Sequence, residues 1–308
     1  MRQGEAVPPG KWTGPVGAGV SAPLPVLLPD AASRFAATAR RLDKAAIGHP
    51  MAEWLRFMAH LAKAQHEAAS ALPPSAVDPS SVEEAVLART PPLAPDRLDV
   101  ARAWQGALQR ILQHVATVTL PDQANDVIAA LKGYDPRALD SLAEAFLSGV
   151  LEPHQIGPAL YIAAALQVYY TSMAATLAAD SLRLLPKRGL CPCCGSTPVS
   201  AVVTASGRTP GTRYLYCSLC STAWNHVRAV CITCGEVGTL SLKSIEGDNG
   251  AVKAETCGNC RTYAKLFYEA QDTQVDPFAD DLATLALDVL VGEAGWSRHA
   301  PNPLLLIG

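Results

Sequence analysis

Eight cysteines of this chain stand in four like pairs: Cys191/Cys194, Cys217/Cys220, Cys231/Cys234 and Cys257/Cys260. Two residues between thiolates let one tight turn aim both sulfurs at a single metal ion, and a second pair returned by a hairpin completes a tetrahedron. The gap from Cys194 to Cys217 holds 22 residues, as does the gap from Cys234 to Cys257, so the second set repeats the first at an offset of 40. The duplication favours sequential pairing of the motifs, with crossed pairing, as in interleaved ring-type sites, left open. Four thiolates close a tetrahedral shell and leave no position for substrate, so the expected role is structural or electron transfer. Tetrahedral sulfur suits zinc or a rubredoxin-like mononuclear iron, and the spacing does not choose between them. Gly195 and Gly235 each follow the second cysteine of a pair, where left-handed backbone is often needed.

The ninth cysteine, Cys193, lies outside the pattern and reads either as an inert small residue or as a reactive thiol or substitute ligand. His226 follows the second knuckle and reads as a surface or supporting residue, since four thiolates already suffice. All nine cysteines fall between 191 and 260. The odd number and the CxxC form argue against a disulfide framework, and thiolates that must stay reduced fit a cytoplasmic protein.

The chain has 308 residues, 49% of them apolar, enough for one large domain or two ordinary ones. Its net charge is only −3, but residues 181–270 carry ten cationic and five anionic side chains, and residues 271–308 carry one and six. A mildly basic middle therefore precedes an acidic end.

The elements that must position these cysteines divide the sequence as follows. Residues 1–30 mix Pro and Gly with no unbroken apolar core, so they read as a flexible arm and not as a signal peptide. Residues 31–184 read as an α-helical domain. Asp30 is placed to cap a first helix, His49-Pro50 to open a second, and Ser80 or Ser81 to cap a third. Further helices are predicted over 95–115, 122–132, 136–149 and 155–182. The last holds a charge-free run from Gln155 to Ala179, long enough to cross a membrane. Gln167, Thr171 and three tyrosines interrupt that run, and it reads as the buried helix of a bundle, without membrane insertion.

Short β-branched and aromatic runs between glycines then predict strands around the cysteines. The first four-cysteine module is placed at 185–229 and the second at 230–270. Residues 271–308 form a C-terminal helix and tail, with Asp276 as cap and Leu282, Leu285, Ala286, Val289 and Leu290 as one apolar face. The fold class is α+β: an N-terminal helical bundle, two tandem rubredoxin-like or zinc-ribbon modules, and a C-terminal helix. Loss of one ligand set is expected to disorder its own module and leave residues 31–180 helical.

With these residues in view, the chain resembles the FdhE family of formate dehydrogenase accessory proteins. The matching pieces are Arg41-Leu42 with His49-Pro50-Met51, Cys191-Pro192-Cys193-Cys194-Gly195-Ser196, and Gly211-Thr212-Arg213-Tyr214-Leu215. Cys217-Ser218-Leu219-Cys220 with Trp224 and Arg228, Cys231 to Cys234, and Asp276-Pro277 with Asp280-Asp281-Leu282-Ala283-Thr284-Leu285-Ala286-Leu287-Asp288 complete them. The resemblance implies a cytoplasmic, non-catalytic factor that binds the catalytic subunit of respiratory formate dehydrogenase before its export. It also implies two mononuclear iron ions held by the eight CxxC cysteines. The second copy departs from the first in having Ala264 where the first has Trp224.

Two other classes compete. A nucleic-acid-binding protein would suit paired basic ribbons, but Lys187-Arg188 is the only adjacent basic pair among residues 181–270, and no phosphate-tracking stripe is evident. An electron carrier or thiol oxidoreductase would suit bound iron, but no nucleophile–base pair, phosphate loop or open metal site is visible. The partner is expected across the junction near Lys187-Arg188, where exposed Arg213 and Arg228 either supply orientation or merely cover the ribbons with their aliphatic stems. Homo-oligomer formation is compatible with the sequence.

Overall fold

The computed structural model describes residues 22–72, 76–95, 103–207 and 209–305. The helical part begins with α1 (Arg34–Ala45) and α2 (Ala52–Ser70), which pack along each other. Phe35, Ala39 and Leu42, continued by Ala46 just past its end, give α1 one buried stripe, and Leu55, Met58, Ala59 and Ala62 give α2 another. The third helix, α3 (Pro79–Leu87), starts two residues earlier than capping by Ser80 would allow. Its cap is Asp78, whose carboxylate accepts from the Ser81 amide, with Pro79 in the first turn. Next come α4 (Ala103–Val115), α5 (Asp122–Gly133) and α6 (Pro136–Ser148), then a 3₁₀ turn at Pro153–Gln155 and α7 (Ile156–Ala174).

Among the described residues no helix is long and apolar enough to cross a membrane. The charge-free α7 is instead buried on every side, against α2, α4, α5 and α6. Its polar interruptions have partners. Gln65 on α2 donates to Gln167 Oε1 (3.0 Å) and to the Ala164 carbonyl (3.0 Å), and Gln167 donates to the Ser218 carbonyl (2.8 Å). A buried amide chain thus runs from α2 through α7 to the second knuckle, which satisfies groups that would be costly unpaired.

One eight-stranded sheet carries the rest. Its strands are β1 (Val26–Leu27), β2 (Pro198–Val203), β3 (Arg213–Cys217), β4 (Ala223–Asn225), β5 (Leu240–Lys243), β6 (Val252–Cys257), β7 (Thr262–Tyr268) and β8 (Ser297–Arg298). Their order is β1-β4-β3-β2-β7-β6-β5, with β8 beside β7. Each cysteine module is an antiparallel three-strand meander, β2-β3-β4 or β5-β6-β7. The modules join through a parallel pair, β2 with β7, in the register Ala201↔Leu266. The arm expected over 1–30 does not run free at its end, because Val26 and Leu27 form β1 against Trp224 and Ala223. Residues 1–21 lie outside the described residues, as do 96–102 at the start of the helix expected over 95–115.

The C-terminal helix differs from expectation. It breaks at Thr284 into α8 (Ala279–Ala283) and α9 (Leu285–Glu293). The residue at the cap of the first is Phe278 and not Asp276, whose carboxylate accepts from the Phe278 and Ala279 amides in the turn that leads in. However, α9 buries Leu287 and Val291 against Ala254 and Tyr263, whereas Ala286, Val289 and Leu290 face outwards. A helix apolar all round has no face that periodicity alone can select.

The aspartates here are clasps. Arg41 on α1 pairs with Asp280 (2.7 Å) and Asp272 (2.7 Å), and Thr38 donates to Asp276 (2.9 Å). The Arg34 guanidinium lies 3.6 Å from the Phe278 ring centre and donates to Ser221 Oγ (2.9 Å). Deeper in, Asp281 is fully buried between Arg298, Asn302 (2.7 Å) and Lys265 (3.4 Å). Asp288 completes the group, 2.5 Å from Lys265 Nζ and 3.2 Å from Arg298.

Glycine chemistry sets one close approach. A Cβ on Gly189, in the linker into the first module, would stand 2.2 Å from the Ile232 carbonyl oxygen of the third knuckle. Gly106 lies exposed within α4 and meets nothing within 4 Å. Opposite outcomes are expected in thermal denaturation. Gly189→Ala should destabilise by about 1–3 kcal/mol through enforced backbone movement. Gly106→Ala should stabilise by about 0.5–1 kcal/mol through helix propensity. Equal melting temperatures for the two variants would contradict the close approach of linker to knuckle.

Candidate metal centres

Each knuckle is a turn whose backbone is held before any sulfur is considered. The Cys191 amide donates to the Ser196 carbonyl (2.9 Å) and the Gly195 amide to the Cys191 carbonyl (2.9 Å). Forty residues on, the Cys231 amide donates to Glu236 (2.9 Å) and Gly235 to Cys231 (3.0 Å). Gly195 and Gly235 have φ of +80° and +75°. The other two knuckles obey the same rule without glycine. Ser221 (φ 59°) and Arg261 (φ 57°) follow Cys220 and Cys260, so left-handed backbone closes all four turns. Sequence reading missed these two, although their 40-residue offset was a usable signal.

The turns gather the sulfurs into two sets, Cys191/Cys194/Cys217/Cys220 and Cys231/Cys234/Cys257/Cys260, each with every Sγ within 4.8 Å of the others. This is sequential pairing; none of these cysteines is in a disulfide. In the first set Cys191–Cys220 and Cys194–Cys217 are 3.5 and 3.3 Å apart. In the second, Cys231–Cys260 and Cys234–Cys257 are 3.7 and 3.8 Å apart. A metal–sulfur bond of about 2.3 Å requires tetrahedral edges of about 3.8 Å, so the donor sets fit a metal ion of that kind and both could bind one.

The surroundings fit as well. The Leu219 and Cys220 amides point at Cys217 Sγ, both at 3.4 Å. Thr222 Oγ1 lies 3.2 Å from Cys220 Sγ, and its counterpart Thr262 lies 3.0 Å from Cys260 Sγ. The backbone N–H donors favour thiolate at Cys217. Burial pushes the Cys191 and Cys217 thiols well up, and Cys231 up to about 12. These sulfurs therefore ionise readily only against a cation.

The sets differ in depth. All four sulfur residues of the first are buried and belong to the main core, whereas in the second Cys234 is exposed and Cys260 half-buried. Cys193 is also fully buried, and its carbonyl accepts from the Leu93 amide (2.8 Å). That makes its backbone a strut to the helical domain.

Arg213 lies elsewhere than expected, and His226 and Trp224 are buried as well. Arg213 is buried, not an exposed orienting charge. From β3 it pairs with Glu255 on β6 and donates to the Val230 carbonyl (2.8 Å), fastening the two modules. Burial raises the Glu255 carboxyl even beside this partner. His226 is buried too, 2.6 Å from the guanidinium, and burial with that charge lowers its pKa to about 4. Trp224 offers no binding surface, being fully buried with its indole N–H donating to the Arg188 carbonyl (2.8 Å). At the matching Ala264 the second module borrows His299 from the tail, which meets Thr233 Oγ1 at 2.6 Å. Arg228 does remain exposed.

A cleft of about 570 Å³ runs beside the first set, between α6, the knuckles and the tail. Phe146, Leu151, Ser196, Ser218, Leu219 and Asn302 are among its lining residues, which include no titratable side chain. It offers no general acid or base.

Three family models cover most of the chain. "FdhE, N-terminal" matches residues 23–186, "FdhE, central domain" 190–228 and "FdhE, C-terminal domain" 229–305. A "Protein FdhE homolog" from Edwardsiella ictaluri is 38% identical over 288 residues, covering 92% of each chain. Another from Rhizobium meliloti is 33% identical over 285 residues, covering 91% of this chain and 92% of its own. The crystal structure of the FdhE protein from Pseudomonas aeruginosa superposes with a TM-score of 0.83 at 32% identity, across 92% of this chain and 99% of that one.

Proposed function

The chain belongs to the FdhE family, and from that premise we propose that it is a non-catalytic accessory protein in the assembly of respiratory formate dehydrogenase. It works in the cytoplasm and binds the catalytic subunit before that subunit's export. Cys191, Cys194, Cys217 and Cys220 hold one mononuclear iron ion, and Cys231, Cys234, Cys257 and Cys260 hold a second, with zinc as the alternative metal. The observation that carries this reading is the pair of four-sulfur sets of tetrahedral size, fixed inside a chain of this family. Four thiolates complete a metal's shell and leave it no open position, so each ion serves the architecture or electron transfer and not substrate activation.

The units proposed are the helical domain at 31–184, the modules at 185–229 and 230–270, and the C-terminal segment from 271. With Arg213 buried, recognition near Lys187-Arg188 falls to the exposed side chains there and to Arg228.

Two results are expected. Deleting the gene should lower formate dehydrogenase activity without lowering the transcript of the catalytic subunit, and the purified chain should cross-link to that subunit. Anaerobically purified protein should hold two iron ions per chain, with thiolate-to-iron absorption. Normal formate oxidation in the deletion strain, with no cross-linked complex, would remove the assembly role. Two zinc ions instead would remove iron alone.

A further inference from the structure

The duplication makes the two cysteine sets alike in sequence, yet the fold treats them differently. The first is sunk in the core that the helical domain shares with the sheet. Its knuckles are held from outside the module by the Leu93 amide on Cys193, by Gln167 on Ser218, and by Thr171 Oγ1 3.0 Å from Ser221 Oγ. Pro91 stands over Gly195, 3.1 Å from where a Cβ would be. Exposing these sulfurs means breaking contacts with α7 and the segment before α4, which is opening of the main core.

The four cysteines of the second set lie outside that core, which the second module reaches through Ile232 and Leu266. Cys234 is exposed, Cys260 is half-buried, and the third knuckle continues into β5, the outermost strand, whose residues Ser241, Leu242 and Lys243 are exposed. Asn259 reaches Cys234 Sγ only at 3.6 Å. An entering ligand meets a sulfur at the surface, at Cys234, and local opening begins at β5, which pairs on one side only, with β6. Local openings of this kind cost much less than global unfolding.

We propose that the two sites differ in kind. Cys191/Cys194/Cys217/Cys220 is a permanent structural site, and Cys231/Cys234/Cys257/Cys260 is an exchange site, where a thiophilic divalent cation enters and leaves the folded chain. Its occupancy can change while α1–α7 and the first ion stay in place. The inference rests on the ligand assignment proposed above.

The test uses the full chain loaded with zinc, a redox-silent probe, and a chromogenic chelator in excess. Release should occur in two phases of equal amplitude, the fast one at least about tenfold faster. Iodoacetamide added after the fast phase should label Cys231, Cys234, Cys257 and Cys260, and leave Cys191, Cys193, Cys194, Cys217 and Cys220 unmodified by peptide mass spectrometry. Cys257→Ser should abolish the fast phase and keep the slow one. Because labelling is read on the unaltered chain, it stands even if the variant folds badly. Release of both ions in one phase, or labelling spread over both sets, overturns the proposal and leaves the ligand assignment intact. A chain that takes up no zinc overturns both.

Discussion

Replacing Asp281 with asparagine should destabilise the chain by about 3–5 kcal/mol, the usual cost of removing one partner from a buried ion pair. The side chain keeps its volume, so the effect isolates charge. Asp281 and Asp288 balance Lys265 and Arg298 in a group where both Asp281 and Lys265 are fully buried. After the substitution one positive charge is left over, and Arg298 and Lys265 share a single carboxylate. The denaturant midpoint should fall with little change in slope. The control is Lys63→Ala, which breaks an exposed pair with Asp43 (2.8 Å) and should cost less than about 1 kcal/mol. Asp281→Leu combined with Lys265→Met keeps the group neutral and should recover part of the loss. A loss below about 1 kcal/mol for Asp281→Asn would show that water reaches the group and that the clasp is weak.

Cys217→Ser should be far more damaging than Cys257→Ser. A four-thiolate site contributes on the order of 10 kcal/mol to folding, so each change should cost its module much of that support. The sequence suggested equivalent outcomes, with residues 31–180 helical in both cases. The structure separates them, because the first set is packed into the same core as α7 and the second is not. Cys217→Ser should lose helical circular dichroism and become generally protease-sensitive. Cys257→Ser should keep its helical signal and one ion per chain, with cleavage confined to about 230–270. Matching proteolysis patterns for the two variants would refute the distinction.

The two four-cysteine sets were legible because their signal is local and repeated: spacing, glycine position and the 40-residue offset all survive in one dimension. The helical bundle was legible from stripes such as Phe35, Ala39 and Leu42. What failed involved charges and faces. Arg213 reads as surface because most arginines are exposed, and only the hairpin that brings Glu255 opposite it makes burial tolerable. Nothing local marks the partners of Asp280 and Asp281, because Arg41 and Arg298 come from α1 and β8. Along α9, six of the nine residues are apolar and larger than glycine, so which of them face inwards is decided by Tyr263 and Ala254 on the sheet.

The sheet's construction has a consequence for growth. The halves are related by a shift along the sheet, not by a two-fold axis: the first strand of one unit, β2, receives the third strand of the next, β7. A two-fold axis would join like edges and leave two alike, but a shift joins unlike edges and leaves one of each kind. β1 closes the β4 end, whereas β5 has no neighbour beyond it among the described residues. The chain is thus a linear array stopped at two members, its open end blunted by short length and by Lys243, which lies 5.1 Å from the Trp296 ring centre. A third 40-residue copy spliced in after Tyr268 would find its complementary edge already in place on β5.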